Sequence, residues 1–255
     1  GSSPHAVAKV LRTWNVSQTV AFFETLGVQL KREETGKLFP ITDSAQTVLN
    51  ALLQALTQAG VGLEHPFRVT GLERQPDGTF MVQAQQGCLQ ARHVVLATGG
   101  LSLPKTGSDG VGLKLAQTLG HTLEPLFPAL VPLVLEEGYP LRAIPGVALP
   151  VQLSVASASG KVLCRQEGPL LFTHFGISRP VVLDISRHWV AAHREDARAQ
   201  LLLNFVPGLS PVEFEAAWLT RASAQPQARV TSLLRQRLPQ RLAEVLVTRW
   251  LAWPA

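Results

Sequence analysis

The chain has 255 residues, of which 46% are hydrophobic and only 16% are charged, a composition that excludes intrinsic disorder and allows one large or two modest cores. The net charge of +5 is spread along the chain without a run of five basic residues, so we expect no nucleic-acid partner. No apolar run approaches the roughly 18 residues of a membrane span. Cys88 and Cys164 are not spaced as metal ligands, so we expect no metal site, no disulfide framework and a cytoplasmic protein.

The first half of the chain predicts helices alternating with strands. Ser17 is a candidate cap for a helix ending at Gly27, and Asp43 or Ser44 for a longer helix ending at Gly60. An Asp77-Gly78 hairpin signal separates two strand patterns. The predicted strands cover residues 61–65, 67–75, 80–85 and 89–98, and a further helix runs from about residue 111 to Leu119.

The pattern changes near residue 125, where we place a domain boundary between residues 1–125 and 126–255. Residues 147–168 alternate apolar and polar side chains around Ser159-Gly160, which predicts a half-buried antiparallel hairpin. Ser210 and Glu213 form a capping-box signature for a helix, and another helix is entered at Pro239. The segments 169–188 and 199–207 are further strand candidates.

A glycine-rich loop follows the apolar run Val94–Ala97 in "VVLATGGLSLPKTGSDGVG". From Gly99 it reads G-x-x-x-x-P-K-T, one residue short of a nucleotide-triphosphate loop. Pro104 argues against that function, because proline has no N–H for a phosphate and cannot adopt a positive φ. Four residues also intervene between Thr106 and the helical pattern, whereas a phosphate-binding helix begins at the loop.

Of two other interpretations of the loop, the residues alone leave one open. Gly99-Gly100 is compatible with a tight exit from a strand and no ligand at all. A dinucleotide fingerprint G-x-G-x-x-G is absent, since residues 107–112 have this spacing reversed. The pattern therefore predicts an α/β domain followed by a β-rich domain, and fixes no function.

Two side chains in the second half are candidate site residues. His174 lies in an apolar stretch and is either a general acid or a hydrogen-bonded structural residue. Ser178 lies in G-I-S-R-P, which resembles the nucleophile elbow G-x-S-x-G, but Pro180 occupies the last glycine position.

Five segments in the same order resemble the bacterial BaiN/YhiN-type flavoproteins, which are NAD(P)/FAD-dependent or aminoacetone-oxidase-like oxidoreductases. They are residues 36–53, 68–73, 94–108, 115–133 and 168–180. The resemblance implies a glutathione-reductase-like FAD-binding domain of the Rossmann type into which a second, β-rich α+β domain is inserted. The family has its dinucleotide glycine motif before these segments and another FAD-contacting segment after them. We therefore expect an internal fragment that contains only part of the FAD-binding domain.

The resemblance also implies which residues contact the cofactor. Glycine at 99 and 100 lets the backbone approach FAD, because a Cβ would keep the chain away. Val69 matches the strand residue beside the adenine. His174 and Ser178 match a motif of the inserted domain that faces the substrate. The implied FAD-binding residues are Val69, Ala97, Thr98, Gly99, Gly100, Lys105, Thr106, Gly107 and Ser108.

The chain departs from the family pattern at two positions. Arg179 stands where G-I-S-G-P has glycine, and a bulky cation there would reshape a turn or narrow a pocket. Val111 stands where T-G-S-x-G-D-G has its acid, and Asp109, two residues earlier, is a possible substitute. Both departures concern local site geometry.

We expect the whole protein to transfer hydride through FAD, with NAD(P)H as the co-substrate and a small molecule as the substrate. The fragment alone should be inactive, because its FAD site is incomplete. The alternative hypotheses are a non-catalytic flavin- or nucleotide-binding module and, with less support, a nucleotide hydrolase. The substrate and the oligomeric state do not follow from the sequence.

Overall fold

The computed structural model describes residues 4–34 and 36–250, without the side chains of Pro4, Arg249 and Trp250. The chain divides into two compact units, and the boundary along the sequence lies between Glu124 and Pro125. The first unit contains α1 (Pro4–Thr13), α2 (Val16–Thr25), β1 (Leu30–Arg32), β2 (Leu38–Pro40), α3 (Ala45–Gln58), β3 (Val69–Arg74), β4 (Phe80–Ala84), β5 (Gly87–Ala91) and α4 (Val111–Thr118).

Local signals explain most elements of the first unit. The strands β3, β4 and β5 form an antiparallel sheet in that order, and Thr79 donates its backbone N–H to Asp77 in the hairpin turn. β1 and β2 form a separate antiparallel pair. The cap of α2 was predicted wrongly: Asn15, not Ser17, forms a capping box with Gln18. Asparagine is as good a cap as serine, so composition alone did not decide between them.

In the described first unit one predicted strand is absent and another is shorter than predicted. Residues 61–65 form no strand, and the strand predicted over 89–98 stops at Ala91. The apolar run Val94–Ala97 has no neighbouring strand, and Val95 is 86% exposed. A strand needs a partner for its backbone N–H and C=O groups, and hydrophobic pattern alone does not supply one.

The second unit contains a five-stranded antiparallel sheet in the order β10-β7-β8-β9-β6. Its elements are β6 (Leu133–Val134), β7 (Ala148–Ala156), β8 (Val162–Phe172), β9 (Gly176–Ser178), α5 (Pro180–Glu195), β10 (Gln200–Asn204), α6 (Pro211–Ala224), α7 (Val230–Leu234), α8 (Gln240–Val245) and a π-helical turn (Leu246–Trp250). The predicted hairpin is β7–β8, and Ser210 and Glu213 form the predicted capping box of α6.

The strand prediction for residues 169–188 was wrong beyond Ser178, because Pro180–Glu195 is a helix. Val181, Val182 and Ile185 are buried at helical spacing, and α5 packs against β7 and β8. A short apolar run is ambiguous between a buried strand and a buried helix. Pro180 at the first helical position was the signal that favoured the helix.

The two units differ sharply in how much apolar surface they bury. In the described first unit only Val28, Leu72 and Leu115 are buried hydrophobic residues, and α3 buries none of its residues. In the second unit Leu153, Phe172 and many neighbours form one continuous core. Burial of apolar surface is the main stabilising contribution to folding, so the second unit has the more stable isolated fold.

We therefore predict that the rates of backbone amide hydrogen exchange differ strongly between the two units. Amides of β7, β8 and α5 should exchange slowest, because their opening requires disruption of the core. Amides of α3 and of residues 94–100 should exchange orders of magnitude faster. Hydrogen–deuterium exchange read by mass spectrometry measures both at once. Equal protection of α3 and β7 would show that the first unit has a core of its own.

Candidate functional site

A cavity of about 610 Å³ lies in the first unit where the glycine-rich loop faces the sheet. This volume lies within the roughly 300–1,000 Å³ typical of ligand pockets. The apolar side of the cavity is formed by residues of β3, β4 and α4, including Leu72, Val82 and Leu115. The opposite side is the run Val94–Gly99 together with Thr106–Ser108. The cavity thus combines apolar walls with exposed backbone and hydroxyl groups.

The turn at Gly99 is built so that only glycine fits. Its φ is +72°, and an added Cβ would lie 2.7 Å from Ser108 Oγ. The neighbouring Gly100 has ordinary φ, and a Cβ there would meet no protein atom within 4 Å. The backbone at Gly99 is therefore fixed by the protein itself, whereas Gly100 leaves open space.

The first turn of α4 packs directly on Thr98. A Cβ on Gly112 would overlap the Thr98 side chain, so this helix approaches the loop only because residue 112 is glycine. Gly110, with φ +83°, caps α4 and donates its N–H to the Gly100 carbonyl at 3.1 Å. These contacts hold the loop against the start of α4.

The segment between the glycines does not form a phosphate loop. Pro104–Thr106 is a single 3₁₀ turn that ends at Gly107 with φ +98°, and α4 begins only at Val111. Residues 107–110 therefore separate Lys105 and Thr106 from the start of the helix. The Thr106 hydroxyl donates to the Leu103 carbonyl at 2.9 Å, which keeps it in the turn.

An ion pair joins the loop to the start of β3. Arg68 donates from its guanidinium to Asp109, and Asp109 also accepts the N–H of Val111 at 3.2 Å. The hydrogen bond from Arg68, and next that from Val111, lower the pKa of the Asp109 carboxyl. Asp109 thus links the loop to the residue that precedes Val69.

In the second unit, His174 lies on the turn between β8 and β9, and Ser178 is the last residue of β9. His174 is exposed and its ring meets Phe175 edge to face. Thr173 fixes the turn: its hydroxyl bonds the N–H of Gly176 at 3.0 Å and the carbonyl of Gly176 at 3.1 Å. The turn therefore presents His174 from a rigid backbone.

Ser178 sits in a strand–turn–helix arrangement but lacks the partners of a nucleophile. It is the last residue of β9, and the positive φ belongs to Arg179 rather than to the serine. Among the described residues no histidine is hydrogen-bonded to its hydroxyl. A nucleophilic serine needs an adjacent base, so the geometry gives no support to hydrolase chemistry.

Comparison with known proteins decides the family. The family described as "HI0933-like protein Rossmann domain" matches residues 1–223. The chain belongs to this family of Rossmann-domain flavoproteins. The HI0933-like match includes both the glycine-rich loop and the turn that carries His174.

The curated relatives that this chain matches differ in their named activities. It is 31% identical over 243 residues to the 3-dehydro-bile acid delta(4,6)-reductase of Clostridium scindens. It is 29% and 28% identical to the ribosomal RNA dihydrouridine synthases of Haemophilus influenzae and Escherichia coli. Each alignment covers 95% or 96% of this chain but only 58% of the relative. The chain therefore spans a little over half the length of these proteins.

The structure brings most of the predicted FAD-binding residues of this HI0933-like chain into one cavity. Those that line it are Val69, Ala97, Thr98, Gly99, Thr106, Gly107 and Ser108. Gly100 and Lys105 lie in the same loop but do not line the cavity. His174 and Ser178, the predicted substrate-side residues, belong to the other unit.

Sequence reasoning missed the residues that shape the cavity from outside the motif. Arg68 gave no signal, since its partner Asp109 is 41 residues away. Gly112 was visible only as part of a reversed fingerprint, although its lack of a side chain is what admits Thr98.

Within the described part of the chain no helix is long and apolar enough to cross a membrane.

We predict that Gly112→Ala destabilises the first unit by about 1–3 kcal/mol, because a Cβ there overlaps Thr98 and overpacking forces backbone shifts. Gly62→Ala is the matched control, since its Cβ would meet nothing within 4 Å and its φ is not positive. Adding Thr98→Ala to Gly112→Ala should restore part of the loss. Chemical denaturation followed by circular dichroism measures all four proteins. A Gly112→Ala variant as stable as Gly62→Ala would contradict the packing.

Proposed function

We propose that this chain forms part of an FAD-dependent oxidoreductase and that the cavity beside Gly99 is part of its FAD site. The single observation that supports this most is the glycine turn. Gly99 is locked in a left-handed conformation at the cavity wall, and Gly100 beside it has open space where a side chain would project. Backbone of this kind admits the close approach of a ligand.

The residues present fit a flavin cofactor in their chemistry. The backbone at Val69, Thr98–Gly99 and Gly107 would hold it, because all of these residues line the cavity. The hydroxyl of Ser108 has no hydrogen-bond partner among the described residues and is available as a donor. Apolar side chains of β3, β4 and α4 would exclude water from the ring system. When bound, FAD supplies the hydride-transfer chemistry, and the protein positions and tunes it.

We propose that further chain completes this site. The apolar run Val94–Ala97 is unpaired, and α3 exposes Leu49, Leu53 and Leu56 to solvent. A second cavity of about 480 Å³, beside α2 and β1, is lined by apolar residues such as Trp14 and Phe23. Exposed apolar side chains in this number favour an interface with further chain. The relatives are longer than the chain, which supports an inserted second unit and a split FAD-binding domain.

The reaction class that we propose is reduction of a carbon–carbon double bond conjugated to a carbonyl. The two activities named for the relatives have this form. Dihydrouridine differs from uridine by two hydrogens on the ring double bond. A delta(4,6)-reductase acts on double bonds conjugated to the 3-oxo group. A hydride goes to the β-carbon and a proton to the α-carbon. NAD(P)H is the proposed source of the hydride.

His174 is the candidate for delivering the proton. It is exposed on the turn between β8 and β9, and histidine is the side chain that most often acts as a general acid. Ser178, half-buried at the end of β9, is the candidate for orienting the substrate carbonyl through its hydroxyl. Neither group is proposed as a nucleophile.

The decisive prediction concerns flavin binding by the longer protein that contains this chain. Purified from cells, it should be yellow and show the visible absorption bands of oxidised flavin. Gly99→Ala should reduce FAD affinity by about 5- to 30-fold, because a Cβ in the left-handed region costs roughly 1–2 kcal/mol and approaches Ser108. Gly62→Ala should leave the spectrum unchanged. The 255-residue chain alone should be colourless.

Two outcomes would refute parts of this proposal. A colourless longer protein that does not take up added FAD would refute the flavoenzyme. A protein that binds FAD but is reduced by neither NADH nor NADPH would support the non-catalytic binding module instead.

A further inference from the structure

Arg179 adopts a backbone conformation that is essentially reserved for glycine. Its φ is +90° and its ψ is +167°, between the end of β9 and the start of α5. Among the described residues only one other non-glycine, Asp43, has a positive φ, at +53°. Aspartate tolerates the left-handed helical region, whereas the extended region occupied by Arg179 disfavours every residue with a Cβ.

The surrounding structure imposes this conformation on Arg179. The carbonyl of Arg179 accepts the N–H groups of Val182 and Leu183, each at 3.0 Å, which starts α5. Val181 and Val182 are buried in the core of the second unit. On the other side Ile177 is paired with Phe172 in the sheet. The two flanking elements are thus fixed, and residue 179 must bridge them with a positive φ.

The turn that precedes Arg179 is equally rigid. Arg142 donates to the His174 carbonyl at 3.1 Å and to the Leu135 carbonyl at 3.4 Å. A Cβ on Gly176 would overlap the backbone of β6, so the turn lies directly on its neighbouring strand. Exposed groups on such a turn are held in place at little further entropic cost, which suits a binding site.

The side chain of Arg179 makes no contact with the described residues that would compensate for the free-energy cost of its strained backbone. It is exposed, and among the described residues it forms no ion pair, no side-chain hydrogen bond and no stacking contact with a ring. The nearest acid along α5, Asp184, is exposed and does not pair with it. Glycine would relieve the strain, so the arginine is unfavourable for stability alone. Backbone strain with no structural benefit indicates a functional role.

We propose that Arg179 is a specificity-determining residue that binds an anionic group of the substrate through its guanidinium. The proposal rests on the function proposed above and names the substrate class: an enone-type substrate that also carries a carboxylate or a phosphate. A guanidinium binds either group with two parallel hydrogen bonds. The substrates named for the relatives supply one probe of each kind, since a bile acid carries a carboxylate and ribosomal RNA carries phosphates.

The first test separates strain from charge in the 255-residue chain. Arg179→Ala keeps a Cβ in the strained region and loses the guanidinium, whereas Arg179→Gly loses both. Thermal unfolding should show Arg179→Gly more stable than the parent by several degrees, on the order of 2–10 °C, with Arg179→Ala near the parent. Arg187→Ala is the control, an exposed arginine of α5 in ordinary helical backbone. An Arg179→Gly chain no more stable than Arg179→Ala would remove the basis of the proposal.

The second test measures binding of two probe pairs to the FAD-loaded longer protein and to the 255-residue chain by calorimetry. One pair is a 3-oxo-4,6-diene bile acid and its methyl ester; the other is a uridine-containing RNA oligonucleotide and free uridine. Arg179→Ala and Arg179→Gly should each weaken binding of one anionic probe by about 10- to 100-fold, the usual effect of losing a hydrogen bond to a charged group. Neutral probes and the Arg187→Ala control should be unaffected.

The probe pairs identify the source of the anion. A loss confined to the bile acid indicates a carboxylate, and a loss confined to RNA indicates a phosphate. Unchanged binding of both anionic probes, or an equal loss for the neutral probes, would overturn the proposal. A longer protein that contains no flavin would refute the proposed function. The measurements on the 255-residue chain would then still test whether Arg179 binds an anionic group.

Discussion

The packing of Thr98 against the first turn of α4 is the contact on which the candidate site depends. It brings the glycine-rich loop onto a helix that itself contacts β3, and so closes one side of the cavity. The contact exists only because residue 112 has no side chain. The ion pair of Arg68 with Asp109 holds the same loop at its other end. Two weak interactions therefore determine the position of the glycine-rich loop, which the hydrophobic core of this unit does not enforce.

The second unit has the opposite design. Its sheet and α5 bury a continuous core, and the core is rigid enough to hold residue 179 in a glycine conformation. Stability is thus concentrated in one unit, and the loop proposed to bind the cofactor belongs to the other. Such a division is physically reasonable, because a cofactor that binds the folded state adds its own binding free energy to the stability of its site.

Local signals were enough to predict much of the fold, and non-local ones were needed for the rest. The Asp77-Gly78 turn, the Ser210–Glu213 capping box and the β7–β8 alternation are encoded within a few residues, and all three are observed. Residues 94–98 were assigned wrongly because an apolar run does not specify whether a neighbouring strand is available. Residues 180–188 were assigned wrongly because a short apolar run does not distinguish a buried strand from a buried helix. In the site, the glycine loop was recognisable, whereas Arg68, Gly112 and the strain at Arg179 depend on contacts across the fold.

The central claim is that the loop from Ala97 to Ser108 forms a wall of an FAD site. A crystal structure of the longer protein with FAD tests it most directly. The account predicts that the cofactor lies along the backbone of Thr98–Gly100 and beside Gly107, with Val69 near its adenine and with Val94–Ala97 paired as a strand to chain outside these 255 residues. FAD bound elsewhere, with this loop in contact only with protein or solvent, would contradict it.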